Sequence, residues 1–332
     1  MSAVDRVVDG LLEAPIAPSF TRLGYAVRSR SAAWTPVSSY DATGRTIVLT
    51  GATSGLGLAA ARRFTLANAT LVILGRNADK TEDVAQQLRE LGGGPVTTAV
   101  ADMGELDDVR AAARQILGGH DRVDALIHNA GALSADRRET SAGIEATVAS
   151  HVVGPHLLTT LLLDALADGG RVITMSSGGM YSAPLTVGGL QMGDDYGGSE
   201  QYARAKRAQV TLTEMWPDRC GARDIVFHSM HPGWADTPGV EDALPTFRRI
   251  VGRALRSPDE GADTMVWLAL DDGAPLAETG RFWHDRAVRD IHRLPTTRRR
   301  DTPERRLALW DLVASLAGTE PTGSGDGRRA VG

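Results

Sequence analysis

Cysteine is almost missing: Cys220 is the only one in 332 residues. A single thiol excludes an intramolecular disulfide framework and a cysteine-based metal site, and it suits a reducing compartment. No metal site is expected. Excess positive charge is missing too. The net charge is −5, which argues against a nucleic-acid binder, since such proteins need a basic face. Long apolar runs are also lacking. No stretch reaches the ~18 apolar residues of a membrane-spanning helix, and the longest apolar-looking run, 157–167, is broken by Thr159, Thr160 and Asp164. Asp5, Asp9 and Glu13 interrupt the place where a signal peptide would carry its apolar core. The cytoplasm is the expected location. What is present, 42% hydrophobic and 23% charged residues, is ordinary for a packed domain. The length admits one large domain or two average ones.

Residues 1–44 read as an N-terminal helical extension. Val4, Val7, Val8, Leu11 and Leu12 recur at helical spacing until Pro15 and Pro18 break the pattern, and a second helical piece follows from Phe20 to Trp34. The extension reads as a cover for the domain or a partner subunit; peripheral membrane contact is the alternative. From 45 to 285 apolar strands alternate with helical patterns. The strands are expected at 46–50, 69–74, 96–100, 125–128, 171–175, 225–230 and 280–284. Continuous apolar strands alternating with helices predict an α/β fold, a doubly wound parallel sheet with helices on both faces. Residues 286–320 read as a C-terminal helical extension and 321–332 as a disordered tail.

Two helix starts are legible. Ser257-Pro258-Asp259-Glu260 has the form of a capping box with proline at the first helical position, and its helix should reach Leu270. Ser199 is expected to cap a helix running to Trp216, stopped by Pro217. Arg298, Arg299, Arg300, Arg305 and Arg306 read as a solvated face. Trp267, Trp283 and Trp310 read as core or interface aromatics.

The strongest local signal is Thr50-Gly51-Ala52-Thr53-Ser54-Gly55-Leu56-Gly57, between a strand and a helix. Glycines there let the backbone turn tightly and approach a pyrophosphate, and free amides at the helix start favour the anion. The next strand ends at Leu74-Gly75-Arg76. An acidic residue at this point would select a free ribose hydroxyl, whereas an arginine accommodates a 2′-phosphate. Arg76 therefore favours NADP(H), with NAD(H) as the second choice.

Tyr202 and Lys206 stand four residues apart, on one helix face. A phenol is a poor proton donor at neutral pH, and an adjacent ammonium is expected to lower its pKa. Such a pair also occurs on solvated helices. Here other polar groups accompany it at strand ends: Asp102, then Asn129-Ala130-Gly131, then Ser176-Ser177, then His231-Pro232-Gly233. Open α/β sheets bind ligands at this edge.

In this order the motifs resemble the short-chain dehydrogenase/reductase family, over residues 44–285. Gly178-Gly179-Met180 and the run from His231 to Gly239 resemble the branch of dehydrogenase/reductase member 12. The resemblance implies a single Rossmann-type domain, an NAD(P)(H) cofactor and hydride transfer between a carbonyl and an alcohol. It implies Tyr202 as acid/base, Lys206 as the residue that lowers its pKa and holds the nicotinamide ribose, and Ser177 rather than Ser176 as the substrate-orienting serine. Gly51, Ser54, Gly55, Leu56 and Gly57 match the phosphate loop, Asp102 and Met103 the adenine side, and Asn129, Ala130 and Gly131 the stretch along the cofactor. Pro232, Gly233 and Thr237 match the turn beside the carboxamide or pyrophosphate. A homodimer or homotetramer is also implied.

Two positions depart from the family pattern. His128 replaces the first asparagine of Asn-Asn-Ala-Gly. His151 stands where the family has a catalytic asparagine that holds a relay water. A neutral histidine has one donor and one acceptor and could serve that relay, with added pH sensitivity; the alternative is a histidine packed beside the sheet. The loops with Met180, Tyr181, Leu185, Leu190, Met192, Tyr196, Trp234, Leu244 and Phe247 are expected to form an apolar substrate pocket and a mobile lid. Rival functions are a cofactor-binding sensor or scaffold with little turnover, and an epimerase or dehydratase of the same broad fold.

Overall fold

The computed structural model describes Asp9, Leu12, Glu13 and residues 17–320 apart from Ala222 and Leu244. Val4, Val7, Val8, Leu11, Leu244 and the expected tail lie outside the described residues, as does the side chain of Phe247. The strands are β1 (Thr46–Thr50), β2 (Thr70–Gly75), β3 (Val96–Val100), β4 (Val123–His128), β5 (Leu166–Met175), β6 (Ile225–His231), β7 (Arg281–His284) and β8 (Ala287–Val288). The main helices are α1 (Arg22–Ser31), α2 (Gly55–Leu66), α3 (Ala78–Arg89), α4 (Leu106–Gly119), α5 (Gly154–Leu162), α6 (Gly198–Met215), α7 (Pro258–Leu270) and α8 (Pro303–Ala317).

Together the strands make one eight-stranded sheet in the order β3-β2-β1-β4-β5-β6-β7-β8. All neighbours are parallel except β7 and β8. Successive strand residues point to opposite faces, and both faces are buried. Ile47, Leu49, Ile127 and Ile173 pack with α2, α3 and α7, whereas Val48, Leu126 and Val172 pack with α4, α5, α6 and α8. The doubly wound parallel sheet expected from the strand pattern is present. Trp267, Trp283 and Trp310 are all buried in it.

Three local expectations need correction. β8 was not anticipated, and the boundary drawn at residue 285 falls inside the β7–β8 hairpin; a two-residue strand has too little pattern to read. Helix α6 begins at Gly198, so Ser199 is already helical and caps nothing; Gly197 holds the cap position without a side-chain bond. Arg306 is no solvated residue: it pairs with Glu214 and Asp301, while Arg305 donates to Leu185 O. The capping box of α7 forms as expected, with Ser257 N donating to Glu260 Oε2 at 2.9 Å and Glu260 N to Ser257 Oγ at 3.2 Å.

The strand order reverses between β1 and β4. In an open α/β sheet the crevice at that switch point, above the strand carboxyl ends, is where ligands bind.

Candidate active site

β1 ends at Thr50 and the chain turns into α2 through the glycine loop. Gly51 and Gly55 have φ of +68° and +52°, a left-handed region that costs glycine nothing. Space excludes a side chain as well. A Cβ on Gly51 would lie 2.7 Å from Ala130 Cα, and one on Gly57 would lie 2.1 Å from Gly51 O. Asn129 fastens the loop to the end of β4, its Nδ2 donating to Thr50 O and Gly51 O at 3.0 Å each. Thr50 Oγ1 answers by accepting from Asn129 N and Ala130 N, also at 3.0 Å. Ser54 stands in extended backbone at the cap of α2 without a side-chain cap bond. Leu56 packs on α7 beside Gly261. The first-turn amides of α2 have no acceptor within the helix, which makes this loop a seat for an anion.

Other expected residues surround that seat. Thr237 closes on the loop: a Cβ on Gly55 would sit 3.3 Å from Thr237 Cβ. Gly233, after Pro232, has φ +78°. Arg76 is exposed at the end of β2 and pairs with no carboxylate among the described residues. At the end of β3, Asp102 Oδ1 accepts from Gly104 N at 2.8 Å, and Met103 beside it is buried. Gly131 lies against the imidazole of His151, so a Cβ there would be 2.7 Å from His151 Cε1.

The second group gathers at the end of β5. The Ser177 hydroxyl is near enough to the Tyr202 phenol to act on its pKa, and it accepts from Gly179 N at 3.2 Å. Ser176 is buried and turned away, donating to Lys206 O at 3.3 Å. The fold thus puts Ser177, and not Ser176, beside the phenol. Lys206 Nζ lies 5.4 Å from the centroid of the Tyr202 ring and donates to Met175 O at 2.8 Å.

Electrostatics differ from the sequence expectation. Burial pushes the Lys206 ammonium down to about 7. Burial also raises Tyr202, against the lowering effect of the Ser177 hydroxyl. In place of the expected lowering, burial dominates the phenol's shift, and the Lys206 ammonium is turned to the carbonyl of Met175.

His151 is buried in a π-turn over Ala149–Val153 that leads into α5. Its Nε2 lies 3.0 Å from both Ala132 N and Ala132 O. The ring meets that of Tyr202 edge-on at 5.4 Å, and its Nδ1 is buried without a partner among the described residues. Burial, then the charge of Lys206, hold it well below the usual histidine range, so it is neutral. No side-chain bond joins it to Lys206. His128 bonds Thr159 Oγ1 at 2.8 Å, tying β4 to α5.

The loop residues expected to line an apolar pocket do something else. Met180, Tyr181, Leu185, Leu190 and Met192 are buried in packing, and Tyr196 bonds Glu145. They give no ground for an apolar substrate. Sequence reasoning missed three residues. Thr50 was legible as the hydroxyl just before the glycines. Phe20 and Arg256 had no signal, because both act through contacts across more than two hundred residues: Arg256 Nε donates to Phe20 O at 3.1 Å.

Comparison with known proteins agrees with this geometry. The short chain dehydrogenase family description matches residues 45–246. The chain belongs to that family. Human dehydrogenase/reductase SDR family member 12 is 36% identical over 280 residues, covering 83% of this chain and 87% of the human protein, and the chain falls in that branch. Mouse retinol dehydrogenase 14 is 28% identical over 83% of this chain and 86% of its own length. A crystal structure of a Mycobacterium paratuberculosis protein superposes with a TM-score of 0.69 at 27% identity, over 86% of this chain and 98% of that one. As a member of this family the chain is an oxidoreductase with an NAD(P)-binding Rossmann fold. Among the described residues no helix is long and apolar enough to cross a membrane.

Proposed function

We propose that this chain is an NADP(H)-preferring oxidoreductase for a carbonyl/alcohol pair, with Tyr202 as the proton donor and acceptor. The observation that carries the reading is the convergence on Tyr202 of Lys206, 5.4 Å from the ring centroid, and the His151 ring, edge-on at 5.4 Å, with the Ser177 hydroxyl acting on the phenol's pKa. The glycine loop fits a dinucleotide: its backbone approaches Asn129 and Ala130 too closely for any Cβ. Gly51, Ser54, Gly55, Leu56 and Gly57 would hold the phosphates, Arg76 a 2′-phosphate, and Asp102 and Met103 the adenine side. Asn129, Ala130 and Gly131 would lie along the cofactor, Pro232, Gly233 and Thr237 would flank the carboxamide or pyrophosphate, and Lys206 would hold the nicotinamide ribose. When bound, the nicotinamide supplies or accepts the hydride.

The residues of this chain handle the proton. In the reductive direction Ser177 orients the carbonyl oxygen, and Tyr202 gives that oxygen its phenolic proton as the alcohol forms. The Ser177 hydroxyl and the Lys206 ammonium then stabilise the phenolate. With its pKa above the ordinary phenol value, Tyr202 is in its donor form at neutral pH, as any phenol is. His151 serves the path by which Lys206 recovers a proton, through the ring nitrogen that Ala132 does not take. A cytoplasmic homodimer or homotetramer completes the reading.

The test is a panel of aldehydes and ketones, from short polar to long apolar. Retinaldehyde belongs in it, since one relative is named a retinol dehydrogenase. Turnover followed by NADPH absorbance should appear with at least one member. Wild type should prefer NADPH to NADH in kcat/KM, and Arg76→Ala should cut that preference by about tenfold or more, as expected for a charge-assisted bond of about 1.5–3 kcal/mol. A wild-type preference for NADH would overturn the NADP assignment.

A further inference from the structure

The N-terminal segment reaches the two loops that flank the candidate active site. Phe20 is 3% exposed although it lies before the first strand. Its ring presses on Gly178, where a Cβ would come within 2.9 Å of Phe20 Cε2. Gly178 directly follows Ser177. The same ring stands edge-on to His231 at 4.3 Å, to His284 at 5.0 Å and to Trp234 at 5.8 Å. Both His231 ring nitrogens are buried without a hydrogen-bond partner among the described residues, so aromatic faces are what hold that ring.

The backbone repeats the connection. Trp234 N donates to Phe20 O at 2.8 Å. Arg256 Nε donates to Phe20 O at 3.1 Å, and Arg256 Nη1 donates to Pro232 O at 3.3 Å. Arg256 N donates to Trp234 O at 2.7 Å and Asp236 N to Arg256 O at 2.9 Å. The turn held this way runs on to Thr237, which closes against Gly55. One residue therefore backs the segment that carries Ser177 through its ring and, through its main-chain carbonyl together with the ring contact to Trp234, the turn that leads to the phosphate loop.

We infer that Phe20 is a positioning residue of the active site, and that docking of the N-terminal segment fixes both the Ser177 loop and the Pro232–Thr237 turn in their working places. The link to turnover rests on the function proposed above; the link to loop order does not. Small displacements of positioning groups are costly, since a misplacement of about 1 Å can reduce the rate about 100-fold.

The test compares full-length wild type with Phe20→Ala, Phe20→Leu and Leu309→Ala. Leu309 is buried in the core on α8 and serves as a control for plain loss of stability, judged by Tm. Backbone hydrogen exchange is read at 177–181 and 232–237, and kcat and KM are read with the best substrate of the panel. The expected result is faster exchange in both segments in Phe20→Ala than in Leu309→Ala at a similar loss of Tm. A fall in kcat of about 100-fold should accompany it, with the leucine variant recovering most of both. Exchange in Phe20→Ala no faster than in Leu309→Ala overturns the inference. So does faster exchange with unchanged kcat. If Phe20→Ala does not fold, Phe20→Val takes its place in each comparison. If wild type reduces nothing in the panel, the proposed function has failed, and the exchange data alone decide whether the segment orders these loops.

Discussion

Two buried polar clusters lie on this fold and are built in opposite ways. At the N-terminal segment, Asp285 accepts from Arg256 Nη1 and Nη2 at 2.6 and 2.8 Å and from Arg28 Nη1 at 2.7 Å. Arg256 Nη2 also donates to Ser19 O at 2.9 Å. Burial opposes the charge of Asp285, but His284, Arg256 and Arg28 outweigh it and hold the carboxyl far below its usual range. At the candidate active site the partners are few. Among the described residues Lys206 Nζ has a single acceptor, Met175 O, and its pKa falls to about 7. His151 Nδ1 has no partner among the described residues. The difference is instructive. A buried charge saturated with hydrogen bonds holds chain segments together, whereas one left under-coordinated keeps binding capacity for a ligand and carries a perturbed pKa.

The largest effect should come from the under-coordinated cluster. Tyr202→Phe should lower turnover by about 10²–10⁴-fold, the usual worth of a general acid–base group. Dinucleotide binding and Tm should stay near wild type. A matching loss of stability would mean that the phenol is a structural member, and the contrast between the clusters would be gone.

Asp285→Asn probes the saturated cluster. It leaves the buried Arg256 guanidinium without a carboxylate, while Arg28 keeps Asp9 and Glu13, so it should cost about 3–5 kcal/mol of stability in urea unfolding. A cost under about 1 kcal/mol, typical of exposed pairs, would show that the cluster does not hold the segment.

The third effect is a slope, small at any one pH near neutrality. Folding takes Lys206 from 10.5 to about 7. Between these values the unfolded chain binds more protons than the folded one, so this residue makes stability rise with pH across the window. Lys206→Met should remove that part of the rise. Unfolding free energies measured across the window in both proteins check it; parallel curves would mean that Lys206 is as well solvated as a surface lysine.

Much of the fold and of the candidate site could be read along the chain. The glycine loop, Asn129, and the pair Tyr202 and Lys206 are local patterns, and the strand alternation that orders them is local as well. What escaped the reading depended on contacts between distant segments. Apolar loop residues such as Met180 and Leu190 looked like pocket walls because composition cannot separate a lining from a core. Arg306 looked solvated because its partner Glu214 is far away in sequence. β8 has only two residues, too few for a pattern.

By itself, then, the order of residues determined the doubly wound sheet, the place of the glycine loop and the pairing of Tyr202 with Lys206 on one helix, since periodicity and motif spacing are properties of neighbours along the chain. Only the tertiary structure decided which of Ser176 and Ser177 meets the phenol, which way burial moves Tyr202 and Lys206, and that Phe20 stands behind the site. Those are matters of register, desolvation and contact across the whole chain, and they exist only once the sheet, α6 and the N-terminal segment have packed together.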